Sequence, residues 1–163
     1  MLEIVPVRTE AQIEEARKLF LEYEKNIGVS LCFQNFEKEV RELPGDYAEP
    51  SGLLLLAIDD GSTAGCCALR PMEKGDYPKT AEMKRLFVRP THRGRGIARN
   101  LVVAVIDRAV SLGYETIILD TLKSMTEAQA LYIKMGFKEI PSYYPNPIEG
   151  TRYMKLDLRL ARQ

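Results

Sequence analysis

Residues 96–112 read as one long helix, apolar around much of its girth and closed by Gly113, and an apolar run of strand length flanks it on each side, at 81–88 and 116–121. A strand, a crossover helix and a second strand in one sheet require parallel pairing. The strands before this unit obey a different rule. Residues 52–58 (GLLLLAI) and 63–70 are separated only by the turn Asp59-Asp60-Gly61, which predicts an antiparallel hairpin. The chain is therefore confined to an α/β class with a mixed, mostly antiparallel sheet of about seven strands flanked by helices, and a doubly wound parallel sheet is excluded. Leu2, Ile4 and Val7 mark a first strand, with Pro6 favouring a sheet edge. Thr9 and Gln12 form a capping box ahead of Ile13, Ala16, Phe20, Tyr23 and Ile27 at helical spacing, ended by Gly28. Asn35 starts a shorter helix stopped by Pro44-Gly45. Ser124 or Thr126 caps a helix with Ala128, Leu131, Tyr132 and Met135 on one face, and strands at 137–140 and 152–158 complete the order.

No repeat or linker divides the chain, so residues 1–163 are read as one domain, large enough to bury a core without metals or disulfides. Lys plus Arg equals Asp plus Glu at 23, which gives a general nucleic-acid binder a low prior. No apolar run approaches a membrane span, and Glu3 stands where a signal peptide needs positive charge. Cys32, Cys66 and Cys67 form an odd set with no CxxC spacing, read as reduced thiols of a cytoplasmic protein. One histidine and no ligand spacing argue against a metal site.

The chemistry concentrates between Lys84 and Arg99. The segment KRLFVRPTHRGRGIAR carries six basic residues (Lys84, Arg85, Arg89, Arg93, Arg95, Arg99) and no acid, between a strand and a helix start. Gly94 and Gly96 let backbone amides approach a ligand, and the first turn of the helix adds unpaired N–H groups at the positive end of its dipole. Strand, basic glycine turn and helix together predict a diphosphate-type anion site. The dinucleotide fingerprint GxGxxG fails at Arg99, and the nucleotide loop GxxxxGK[ST] is absent.

The pattern that does fit is R/Q-x-x-G-x-G/A, met by Arg93-Gly94-Arg95-Gly96-Ile97-Ala98, and a second, A-x-x-L-Y-x-x-x-G-F, is met by Ala128 through Phe137. With both signatures at the right separation and a matching element order, the chain resembles the GNAT acyltransferase superfamily over nearly its whole length. The resemblance implies a sheet whose fourth and fifth strands splay apart, and acetyl-CoA as donor. Backbone groups of Leu86, Phe87 and Val88 would pair with the pantetheine arm. The turn Arg93, Gly94, Arg95, Gly96, Ile97, Ala98 and Arg99 would cradle the pyrophosphate. Family members often carry Asn where this chain has Met125. The acceptor would be a primary amine of a small molecule or peptide, and a homodimer stays open.

Amine attack on a thioester needs an acceptor for the amine proton, stabilisation of the oxyanion and an acid for the leaving thiolate. Tyr132 matches the family's proton-donating tyrosine; at helical spacing it also reads as a core aromatic. Glu82 precedes Val88 by six residues, as the catalytic glutamate does in histone-acetylating members, and a carboxyl in a partly apolar cleft is expected to rise in pKa. It reads equally as a strand carboxylate paired with Lys84 or Arg70. Asp120 is the second candidate base, and His92 is expected to face solvent. Tyr143, Tyr144 and Asn146 are candidates for an acceptor wall. Glu39, Glu42 and Asp46 are surface charges by default. Two other readings stand beside the enzyme: a non-catalytic acyl-CoA sensor, and nucleic-acid binding through residues 84–99.

Overall fold

A computed structural model of the chain describes residues 1–72 and 78–161. Seven strands form one sheet in the order β1-β2-β3-β4-β5-β7-β6: β1 (Leu2–Pro6), β2 (Leu53–Asp59), β3 (Ser62–Pro71), β4 (Thr80–Val88), β5 (Thr116–Thr121), β6 (Lys138–Ile140) and β7 (Arg152–Asp157). Every neighbouring pair is antiparallel except β4 and β5. β1 lies at the edge, where Pro6 removes no needed donor. Asp60 and Gly61, both with positive φ, join β2 to β3 in the two-residue loop expected of an Asp-Gly hairpin.

Helices cover both faces. α1 (Glu10–Ile27) and α2 (Phe36–Arg41) pack on one, and α3 (Ile97–Ser111) and α4 (Thr126–Lys134) on the other, with a short α5 (Leu158–Ala161) after β7. α1 opens on the expected Thr9–Gln12 capping box and ends at Gly28 in the left-handed conformation. α3 buries Ile97, Leu101, Val102, Val105 and Ala109 against β2, β3 and β4. Each fully buried aliphatic side chain of this kind contributes about 1.5–3 kcal/mol, so this stripe anchors the crossover. The start of α4 differs from expectation: its N-cap is Met125, and neither Ser124 nor Thr126 supplies a side-chain cap. Asn35 caps α2 by position only, in a left-handed conformation without a side-chain bond. Among the described residues no helix is long and apolar enough to cross a membrane.

Two irregularities of β4 position the site. Its pairing with β5 covers only Thr80–Glu82 against Thr116–Ile118, although β4 continues to Val88 and β5 to Thr121. Beyond Glu82 the strands part, and β4 keeps only its β3 neighbour. The second is a bulge. Cys66 faces Phe87 and Ala68 faces Lys84, so Cys67 alone opposes both Arg85 and Leu86. Arg85 takes φ of 62°, a conformation that costs on the order of 1–2 kcal/mol for a non-glycine residue. Its guanidinium is held on both sides, bidentate to Glu39 at 2.8 and 3.1 Å and 5.0 Å from the Phe36 ring centroid. The bulge breaks strand alternation, so Glu82, Lys84 and Arg85 all face α1 and α2.

Candidate active site

The parting of β4 from β5 opens a groove of about 540 Å³. Leu86, Phe87 and Val88 line one wall, Ser124 to Ala128 the other, Tyr23, Asn26 and Ile27 of α1 lie across it, and the turn from His92 to Ala98 closes one end. Beyond Glu82 the peptide groups of β4 that face away from β3 have no strand to pair with. Gly94 and Gly96 have φ of 81° and 76°, and a Cβ at either would meet nothing within 4 Å. Gly96 is the N-cap of α3 and has no side chain to satisfy the first-turn amides. A strand edge without a neighbouring strand, leading to an uncapped helix start, suits an extended ligand ending in a diphosphate.

The basic residues of the segment divide. Arg93 folds back, donating from Nε to the Val88 carbonyl at 3.0 Å and from Nη2 to Asn26 Oδ1 at 3.3 Å. Arg95 pairs with Asp59 at 2.9 Å and Arg89 with Glu22 at 2.7 Å. Arg95 and Arg99 are not part of the groove wall, which His92, Arg93, Gly94, Gly96, Ile97 and Ala98 supply at this end. Lys84 and Arg85 are buried beneath the opposite face. Four of the six cations are thus neutralised or buried, which removes the continuous basic surface that nucleic-acid binding through 84–99 requires. His92, expected to face solvent, is half-buried, lines the groove and shares a hydrogen bond with Thr91 Oγ1 at 3.0 Å.

On the α1/α2 side the parted strands carry a dense polar network. Glu82 is 1% exposed. Its Oε1 accepts from Arg70 Nε at 2.9 Å, and its Oε2 accepts from the Tyr143 hydroxyl at 2.7 Å with Lys84 Nζ 4.0 Å away. Burial alone would raise its pKa, but Lys84, Arg70 and the Tyr143 hydroxyl outweigh it and hold the carboxyl below the ordinary range. The expected rise is therefore reversed, because two cations share its cavity. Burial also pushes the Lys84 ammonium below its usual value, against the pull of Glu82. Lys84 donates to Gln34 Oε1 at 3.0 Å, and Gln34 Nε2 donates to the Tyr144 hydroxyl at 3.0 Å. Tyr144 in turn donates to Asp120 Oδ2 at the end of β5, and Asn146 Nδ2 donates to Tyr144 at 2.9 Å. Asp120 Oδ1 makes no hydrogen bond or ion pair with the described residues. Glu39 is no free surface charge but the half-buried partner of buried Arg85, while Glu42 and Asp46 border a smaller cavity of about 260 Å³ next to Gln34 and Arg70.

Tyr132 stands on α4, 6% exposed, with its ring 5.5 Å from that of Phe137. Its hydroxyl has no hydrogen-bond partner among the described residues, and burial drives its pKa far up. Tyr23, read from sequence as a core position of α1, lies over the groove instead. No sequence signal separates it from Phe20 one turn earlier. Gln34 was also missed, since it lies between helices without periodicity, whereas Arg70 meets Glu82 as one of the two partners expected for that carboxylate. Among the described residues no three His, Cys, Asp or Glu side chains are grouped to hold a metal ion.

The comparisons with known proteins agree with this geometry. An Acetyltransferase (GNAT) family model matches residues 13–137. An uncharacterised N-acetyltransferase of Schizosaccharomyces pombe is 37% identical over 158 residues, 96% of this chain and 95% of the relative. A GNAT-family acetyltransferase structure from Staphylococcus aureus superposes with a TM-score of 0.78 at 22% identity, over 97% of this chain and 99% of that one. A Salmonella typhimurium acetyltransferase solved with its cofactor acetyl-CoA superposes with a TM-score of 0.67 at 19% identity, over 96% of this chain and 94% of that one. Two parted strands, a glycine turn at a helix start and a match over most of the length lead to one conclusion: the chain belongs to the acetyltransferase (GNAT) family.

Proposed function

We propose that the protein is an N-acetyltransferase that moves an acetyl group from acetyl-CoA directly to a primary amine. The observation that carries this reading is the parting of β4 from β5, with an open β4 edge leading to the uncapped start of α3. Residues 86–88 would hold the pantetheine arm by backbone bonds, and the amides at Gly94–Ala98 would hold the diphosphate. When bound, the donor supplies an activated acyl carbon; everything else falls to this chain.

A primary alkylammonium is protonated at neutral pH and must lose a proton before its nitrogen can attack. Of the two carboxylates flanking the gap, Glu82 has both oxygens engaged, whereas Asp120 Oδ1 bonds none of the described residues. Asp120 is therefore assigned to meet the acceptor amine and take its proton, directly or through water. Glu82 is assigned to hold Arg70 and Lys84 in place. As the C–N bond forms and the C–S bond breaks, the departing thiolate needs a proton, and Tyr132, whose hydroxyl bonds none of the described residues, is assigned to give it. Tyr143 and Tyr144 tie the late loop to one strand each and wall the acceptor side. No covalent enzyme intermediate is required when both substrates are held together.

The test is release of free CoA from acetyl-CoA with a panel of primary amines spanning amino acids, diamines, aminoglycosides and peptide N-termini. A productive acceptor supports the reading. Asp120→Asn is then expected to lower kcat by roughly 10²–10⁴-fold. Binding of acetyl-CoA with no turnover across the panel would instead favour the sensor reading.

A further inference from the structure

We propose, resting on the acyl-transfer reading above, that the ring of Tyr23 sets the length of the acyl chain the groove accepts and restricts the donor to short acyl thioesters of CoA. The groove has two distinct ends. At one, the glycine turn is tied to the last turn of α1 through the 3.3 Å bond from Arg93 Nη2 to Asn26. Tyr23 lies one turn earlier on α1, about 5 Å back along the helix axis and away from the anion end. There its ring meets Phe87 edge-on, with centroids 6.2 Å apart, and the Arg85 guanidinium lies 5.9 Å from its centroid.

This inner end has little freedom to widen. Phe87 is 5% exposed and sits opposite Cys66, which is fully buried. Arg85 is fixed at the bulge by its bidentate bond to Glu39. Tyr23 is half-buried and lines the groove, so its ring borders this inner end, where the acyl group of a bound donor would lie. A two-carbon acyl group leaves such a wall undisturbed, whereas each added methylene must displace the ring or the charged groups behind it. One methylene in a closely fitted pocket is worth roughly 10–200-fold in discrimination.

The experiment titrates CoA, acetyl-CoA, butanoyl-CoA and hexanoyl-CoA into the full chain by calorimetry, with no acceptor present. The parent protein is expected to bind butanoyl-CoA at least tenfold more weakly than acetyl-CoA. Tyr23→Ala and the less drastic Tyr23→Val are expected to shrink that ratio by about tenfold or more, and Tyr23→Phe, which keeps the ring, to preserve it. A thermal melt checks that each variant is folded, and Tyr23→Val carries the test if the alanine variant is not. Equal affinities in the parent, or a ratio unmoved in the folded small-residue variants, overturn the proposal. A ratio lost in Tyr23→Phe as well assigns the selectivity to the hydroxyl and overturns the role of the ring. If none of the four compounds binds, including CoA itself, the donor reading fails and this proposal with it. Binding of CoA and all its thioesters alike overturns this proposal alone.

Discussion

The two sides of the gap between β4 and β5 handle charge in opposite ways. On the α3 side, anion binding is assigned to backbone: two glycines in left-handed conformation, an uncapped helix start and a strand edge, all within residues 86–98. On the α1/α2 side, charge is handled by side chains from scattered places in the chain. Gln34, Arg70, Glu82, Lys84, Asp120, Tyr143, Tyr144 and Asn146 interlock there, with Glu82 and Lys84 buried and the others half-buried. A backbone device tolerates changes of surface charge and fails when a side chain fills its concavity. A buried ionic network fails when one partner is removed, because the others are left uncompensated.

The largest expected effect breaks the backbone side. Gly96→Glu places a carboxylate where the diphosphate is assigned, and acetyl-CoA binding is expected to disappear. The space around the position is open, so only the strain of a positive φ, about 1–2 kcal/mol, acts on the fold. The check is thermal unfolding with and without acetyl-CoA. The parent gains about 2.7 kcal/mol at 100 times its dissociation constant, and the variant gains none.

Next comes Tyr132→Phe, which removes only the hydroxyl. A fall in kcat of roughly 10²–10⁴-fold is expected, with donor affinity unchanged. Stability is expected to change little, since the hydroxyl makes no hydrogen bond with the described residues. A kcat within a fewfold of the parent returns Tyr132 to the role of a core aromatic.

The third breaks the side-chain network. Glu82→Gln leaves Arg70 and Lys84 without their shared carboxylate, and a loss of about 3–5 kcal/mol by denaturant unfolding is expected. Well below the new melting point its kcat is expected to fall less than that of Asp120→Asn. The reverse order transfers the proton-accepting role to Glu82.

The smallest effect is in pH. Glu82 has a pKa below its ordinary value in the folded chain, so it binds protons more readily when unfolded. Its contribution to stability is full above the unfolded value of about 4.3 and is lost as pH falls through the lower folded value. The melting-temperature gap between parent and Glu82→Gln is accordingly expected to shrink between about pH 5 and pH 3. A constant gap makes the contribution of Glu82 one of shape and not of charge.

Sequence alone determined the element order, the single parallel crossover, the Asp60-Gly61 hairpin and the glycine turn at the start of α3. Each rests on residues adjacent along the chain or at fixed helical spacing, where local sterics and hydrophobic periodicity decide the outcome. Beyond the expected meeting of Glu82 with Lys84 and Arg70, tertiary structure alone decided which charges meet. Glu82 and Lys84 share a face by strand alternation, but Arg85 joins them only because the bulge shifts the register, and no local pattern announces it. The pairing of Glu39 with Arg85 and of Tyr144 with Asp120 spans 46 and 24 residues. The direction of the Glu82 shift followed from those partners: burial was foreseeable from a strand position, but the sum of burial and two cations depends on distances that only the folded chain defines.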